Sequence, residues 1–191
     1  QGCNRQLNSR EVGLLRQYRA GLTNGTLNVQ RANSTRNSSA SGMLYQTDPR
    51  INIGNRTMAN SGCYFRSIQA VAERHTGRNL SANDINAARR TLQSGSRPAV
   101  ESNLTVRNPE AVLKDAFIRL GRSNLSGKIG WGGNGRRPNF IILNGGTSRT
   151  NPNSRHYRLG DSSGNQVWDP APGTRVYSST NIPVYIEQRR R

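Results

Sequence analysis

The chain has 191 residues, enough for one domain with an extension, and only 32% of them are hydrophobic. Lys114 and Lys128 are the only lysines among 28 basic residues, which face 10 acidic ones and give a net charge of +18. This excess predicts attraction to an acidic partner or a polyanion such as nucleic acid, although a compositional bias would explain it equally well.

The cysteines and histidines exclude two classes of protein. Cys3 and Cys63 are too few for a disulfide-rich scaffold, and with two histidines they argue against a four-ligand zinc site. No apolar run approaches the roughly 18 residues that cross a bilayer, so we expect no transmembrane segment. Gly2-Cys3 resembles the start of a processed lipoprotein, which would be an extracellular or cell-envelope protein with a lipid anchor on Cys3; a trimmed chain is the alternative.

The first 42 residues are predicted to form a helix and a polar linker. Residues 9–22 carry apolar side chains at helical spacing, whereas residues 28–42 have almost none. We therefore expect the compact domain to cover residues 43–191.

Three helices are predicted in the first half of this domain. They cover residues 63–75, 81–92 and 110–120. Ser81 and Asp84 match a capping box at the start of the second helix. Pro109 suits the first turn of the third helix, and Gly77 and Gly121 suit the ends of the first and third.

The second half of the domain is predicted to form strands. They cover residues 139–143, 156–159, 166–169 and 184–187, with turn residues between the second and third. The Gly-rich run at 130–135 matches G-x-G-x-x-G, but a strand follows it where a dinucleotide site requires a helix. Helices followed by strands predict an α+β fold, with N-terminal helices packed on a C-terminal antiparallel sheet.

Cys63 is the candidate nucleophile. It follows Ser61-Gly62 and begins the first predicted helix. Helix N-termini favour a thiolate and can lower a cysteine pKa from about 8.5 to roughly 3.5–7.5. The alternative is a small buried side chain, which is the commoner use of a lone cysteine.

Elimination points to the base. His75 lies along the same helix, about 18 Å from Cys63 at 1.5 Å per residue, and is expected to be a cation near the helix end. His156 is therefore the candidate base. Asp169 lies across the predicted hairpin, where it can orient the His156 ring, with a turn role ahead of Pro170 as the alternative.

Four sequence pieces resemble one family. They are Tyr45-Gln46-Thr47-Asp48-Pro49-Arg50, Ser61-Gly62-Cys63, His156-Tyr157 and Asp169-Pro170-Ala171 with Gly173. In this order they resemble the bacteriocin-leader-processing (double-glycine) type of papain-like cysteine peptidase. The resemblance covers roughly residues 43–175, but the family usually has Gly-Pro after its cysteine, where this chain has Tyr64-Phe65.

The resemblance implies a papain-like fold and a Cys63–His156–Asp169 triad. It also implies that Gln46 donates to the oxyanion together with the Cys63 backbone amide. The expected function is a thiol hydrolase that cleaves a peptide or isopeptide bond of a peptide or protein substrate, without a metal or organic cofactor. The alternative is an inactive, Arg-rich binding module of the same fold that engages an acidic partner or nucleic acid.

Overall fold

The computed structural model describes residues 42–190. The helix predicted at 9–22, the linker up to residue 41, and Cys3 lie outside this range. The helices are α1 (Thr57–Ser61), α2 (Cys63–Thr76), α3 (Ala82–Leu92) and α4 (Pro109–Arg119). The strands are β1 (Leu125–Ile129), β2 (Phe140–Gly146), β3 (Arg155–Gly160), β4 (Gln166–Trp168) and β5 (Ser178–Gln188).

The described residues form an α+β fold, as predicted. The strands make one antiparallel sheet in the order β1-β5-β2-β3-β4. The helices precede the sheet in the chain, and α2 packs on both α4 and β3. The apolar core lies between the helices and the sheet, with Phe65, Phe117 and Leu159 fully buried.

The predicted helix ends are close to the observed ones because the local capping chemistry is present. Ser81 and Asp84 form the reciprocal capping box of α3, and Asn108 caps α4 ahead of Pro109. The residue after α2 is Gly77 with φ 66°, a left-handed backbone that favours glycine.

Three elements differ from the sequence-based expectation. Helix α1 and strand β1 were not predicted, and β5 is longer than the predicted 184–187. Gly127 and Lys128 hide the strand pattern of β1, which forms because it pairs with the end of β5. The start of β5 is polar, and it pairs with Gly145 and Gly146 of β2.

Candidate active site

Cys63 is the first residue of α2, a 14-residue helix with no side-chain cap. The turn before it is tightly packed, because a Cβ atom on Gly62 would clash with Met58 Sδ and would lie 2.5 Å from the Met58 carbonyl oxygen. Only glycine lets α1 approach the start of α2 this closely. The close packing of Gly62 on Met58 therefore fixes the position of Cys63 at the N-terminus of α2.

The thiol of Cys63 lies against the start of β3. Cys63 Sγ donates to the Arg155 carbonyl oxygen at 3.9 Å, and Arg155 precedes His156. The packing of α2 on β3 thus joins two parts of the chain 92 residues apart. Both Cys63 and His156 are completely buried, so a substrate reaches the thiol only after a neighbouring side chain moves.

His156 and Asp169 are in direct contact. His156 Nε2 lies 2.6 Å from Asp169 Oδ1, the arrangement in which a carboxylate fixes the tautomer of an imidazole. Because Asp169 occupies Nε2, Nδ1 is the ring nitrogen that a thiol proton would have to reach. The predicted contact across the hairpin is therefore present, while its catalytic use stays a prediction.

Asp169 also has the turn role weighed as its alternative. Its Oδ1 accepts a hydrogen bond from the Ala171 backbone amide at 2.8 Å, so the carboxylate is part of the turn that follows β4. Gly173 in this turn has φ 85°, in the left-handed region that disfavours other residues. The same oxygen thus holds the turn and the histidine ring.

Gln46 lies between this turn and the start of the helices. Its backbone amide donates to the Pro170 carbonyl at 2.9 Å, and its side-chain Nε2 donates to the Ala59 carbonyl at 2.7 Å. Ala59 is in α1, four residues before Cys63. The side-chain amide has two N–H groups, and the bond to Ala59 uses one of them.

The loop that carries Gln46 is held by a buried asparagine. Asn52 Nδ2 donates to the carbonyls of Gln46 and Asp48, each at 2.8 Å, and Asn52 Oδ1 accepts from the Ala59 amide at 2.7 Å. These bonds fix the Gln46 backbone relative to α1. The role of Asn52 was not predicted from the sequence. Its position soon after the Asp48-Pro49 turn was the signal that could have indicated it.

A buried ion pair supports the other side of this loop. Arg66 and Glu73 of α2 are both buried and lie 3.0 Å apart. Arg66 Nε and Nη2 donate to the Leu44 carbonyl at 3.1 and 2.9 Å, and Glu73 Oε1 accepts from the Leu80 amide. Sequence reasoning missed this pair, although its seven-residue spacing places both residues on one helix face.

Two tyrosines stack beside the thiol. The rings of Tyr64 and Tyr157 lie 4.3 Å apart, and burial raises the pKa of each to about 12. The charge of a Cys63 thiolate is a second, smaller cause for the raised pKa of Tyr157. Both tyrosine hydroxyl groups are therefore protonated at neutral pH.

A polar cavity adjoins Tyr64. It has a volume of ≈ 390 Å³ and is lined by Tyr64, Glu101, Asn103, Thr105, Val106 and Arg107. Tyr64, which directly follows Cys63, is one of the residues that line this cavity.

His75 differs from its expected role as a helix C-terminal cation. It lies edge-on to Phe117, with the ring centroids 6.0 Å apart. Burial, and then the charge of Arg122, lower its pKa below the usual value of 6.5. His75 therefore lies in the last turn of α2, as predicted, but its surroundings disfavour the cation expected there.

Residues 42–190 lack the features of two other classes of site. Within this part of the chain no three His, Cys, Asp or Glu side chains are grouped as ligands for a metal ion. None of its helices has both the length and the apolar character needed to cross a bilayer. The Gly-rich run at 130–135 leads through a short turn to β2, as predicted, and not to a phosphate-binding helix.

Comparison of the chain with protein families, curated proteins and solved structures finds no match.

Proposed function

We propose that this protein is a papain-like thiol hydrolase that cleaves a peptide or isopeptide bond. The observation that carries the proposal is that Cys63 of α2 contacts the backbone of β3 directly before His156, while His156 contacts Asp169 in the turn after β4. Cys63 Sγ lies 3.9 Å from the carbonyl oxygen of the residue before His156, and His156 Nε2 lies 2.6 Å from Asp169.

Each residue would have one role. Cys63 attacks the carbonyl carbon, and His156 accepts the thiol proton and later donates it to the leaving amine. Asp169 orients the imidazole and stabilises its cation. The second N–H of Gln46 and the Cys63 amide would stabilise the oxyanion of the tetrahedral intermediate.

The turn connections support this assignment. Gln46 and Asp169 belong to separate segments, yet the Gln46 amide is bonded to Pro170, the residue after Asp169. A single hydrogen-bonded unit thus holds both the candidate oxyanion donor and the residue that orients the base. Such support is what precise placement of catalytic groups requires.

A second candidate is a non-enzymatic, Arg-rich module of the same fold. The observation in its favour is that Cys63 and His156 are completely buried, as a structural cysteine and histidine would be. This module would bind an acidic partner or nucleic acid through its surface arginines without using the thiol.

The test is peptide cleavage by the full chain. The protein is incubated with a mixture of unrelated peptides, and new peptide termini are identified by mass spectrometry. Cleavage by the unmodified protein that is absent with Cys63→Ser supports the hydrolase. No cleavage, or the same cleavage with Cys63→Ser, overturns it and leaves the binding module.

A further inference from the structure

Two arginines share one exposed tyrosine near the start of β5. The guanidinium carbons of Arg149 and Arg175 lie 4.8 and 5.2 Å from the centroid of the Tyr177 ring. Tyr177 is 43% exposed. The ion pairs among the described residues include neither arginine. We call Arg149, Arg175 and Tyr177 the arginine clamp.

The surrounding chain does not neutralise the clamp. Residues 144–181 contain four arginines, and Asp161 and Asp169 are their only acidic residues. Asp161 Oδ1 accepts from the Ser163 and Asn165 amides in the β3–β4 turn, and the Asp169 carboxylate contacts His156. Both carboxylates thus already have local partners, and the clamp faces solvent as a site of positive charge.

The clamp lies at the same end of the sheet as the candidate catalytic residues. The Tyr177 amide donates to the Gly146 carbonyl at 2.9 Å, and Gly146 pairs with Arg155. Neighbouring strands are about 4.8 Å apart, so the Tyr177 backbone lies about 10 Å from Arg155. The Arg155 carbonyl is the group that Cys63 Sγ contacts.

We propose that the arginine clamp binds a carboxylate side chain of the substrate that Cys63 attacks. The ring of Tyr177 holds both guanidinium groups through cation–π contacts, and guanidinium forks match carboxylate oxygens. This proposal rests on the proposed hydrolase function.

An acidic peptide fits the clamp better than a nucleic acid does. The thiol of Cys63 and the imidazole of His156, at the same end of the sheet, would attack an acyl carbon, which peptides contain and nucleic acid backbones lack. The clamp is also compact, with two arginines on one ring, whereas single-stranded nucleic acid is bound by grooves that follow the backbone over several nucleotides.

Binding is measured with the full chain carrying Cys63→Ser, so that cleavage cannot interfere. The probes are a fluorescent Glu-Ala-Ala-Glu-Ala-Ala peptide and its Gln-Ala-Ala-Gln-Ala-Ala counterpart. The Glu peptide is expected to bind roughly tenfold more tightly, as two exposed ion pairs allow. Its affinity is expected to fall as salt screens the charges.

Two matched double variants test whether the arginine clamp causes the preference for the Glu peptide. Arg149→Gln with Arg175→Gln is expected to abolish the preference for the Glu peptide. Arg189→Gln with Arg190→Gln removes the same charge just beyond the opposite end of β5, where both residues are exposed, and is expected to keep the preference. If the first variant keeps the preference, or if both variants lose it equally, the clamp is not the carboxylate site.

Two further outcomes separate the proposals. A fluorescent oligothymidine that binds more tightly than the Glu peptide, and that is released by Arg149→Gln with Arg175→Gln, overturns the carboxylate assignment in favour of nucleic acid. A preference for the Glu peptide that depends on the clamp, in a protein that cleaves no peptide, keeps the acidic-peptide site and rejects only the hydrolase.

Discussion

The backbone amide of Gln46 donates to the carbonyl oxygen of Pro170 at 2.9 Å. This bond joins the loop before α1 to the turn after β4, and these two segments carry the candidate oxyanion donor and the residue that orients His156. Substitutions on the two sides of the bond therefore distinguish catalytic from structural roles.

Asp169→Asn is expected to lower kcat/KM by about 10³- to 10⁴-fold, because an amide cannot stabilise the imidazolium or hold the same tautomer. The fold is expected to persist, since the Asn side-chain oxygen can still accept from the Ala171 amide. Peptide cleavage and thermal unfolding are measured together. Asp161→Asn in the β3–β4 turn is the matched control and should leave kcat/KM unchanged. Equal loss of activity in both variants would contradict the role of Asp169.

Gln46→Ala is expected to lower kcat by roughly 10²–10³-fold if its amide stabilises the oxyanion. It should also reduce the free energy of unfolding by about 1 kcal/mol, because the hydrogen bond to Ala59 is lost. Asn52→Ala is the control, since it removes buried hydrogen bonds of the same loop and leaves the Gln46 side-chain amide in place. If Gln46→Ala lowers stability but leaves kcat unchanged, Gln46 is only a packing residue.

Labelling by iodoacetamide at pH 6 tests whether Cys63 is ionised. A working Cys63–His156 pair keeps the thiol as a thiolate there, while a free cysteine with a pKa of about 8.5 is almost wholly protonated. Because Cys63 is completely buried, labelling is done in Tyr64→Ala, which removes the large side chain that follows Cys63 in the chain. In this background Cys63 is expected to react much faster than a free cysteine.

Histidine variants in the same background complete the labelling test. His156→Ala should reduce the rate at Cys63 to that of a free cysteine or below, and His75→Ala should have no effect. Slow labelling of Cys63 in Tyr64→Ala, or no effect of His156→Ala, would reject the active enzyme.

Stability is expected to fall at alkaline pH because of the stacked tyrosines. The pKa values of Tyr64 and Tyr157 are about 12 in the folded protein, above the usual value of 10.0. The contribution of the two tyrosines to the free energy of unfolding is therefore fully present below pH 10 and is lost as the pH rises through about 12. Chemical unfolding between neutral pH and pH 12 measures the change. The double variant Tyr64→Phe with Tyr157→Phe should lose less stability between pH 10 and pH 12 than the unmodified protein. An equal loss in both proteins would contradict the role of the two tyrosines.

The buried ion pair of Arg66 and Glu73 predicts that substitutions at the two residues have non-additive effects on the free energy of unfolding. Arg66→Met alone should reduce the free energy of unfolding by about 3–5 kcal/mol, because it leaves the Glu73 carboxylate buried without its cation. Arg66→Met with Glu73→Leu should cost less than Arg66→Met alone. Urea unfolding checks both values. A double variant that is less stable than the single variant would show that the charges act independently.

The elements that local chemistry determines could be predicted from the sequence. The capping box of α3 and the proline at the start of α4 are visible in a few adjacent residues, and so is the turn between β3 and β4. The pairing of His156 with Asp169 followed from that turn, because a tight hairpin places its two ends opposite each other.

What could not be predicted depends on contacts between distant segments. Strand β1 exists because it pairs with β5, more than 50 residues later in the chain. The burial of Arg66 depends on the Leu44 carbonyl, 22 residues earlier, and the support of Gln46 by Asn52 depends on the position of α1. None of these contacts leaves a periodic pattern in the sequence.

The strand order has a consequence for the order of folding during synthesis. Strands β2, β3 and β4 are neighbours both in the chain and in the sheet, so they can pair as soon as they leave the ribosome. Strand β1 is made before them, yet its neighbour in the sheet is β5, the last strand. It must therefore wait, and β1 joins the sheet only after β5 has inserted beside β2. The hairpin that joins His156 to Asp169 can thus form before the chain is complete, whereas the opposite edge of the sheet can close only after β5 has been made.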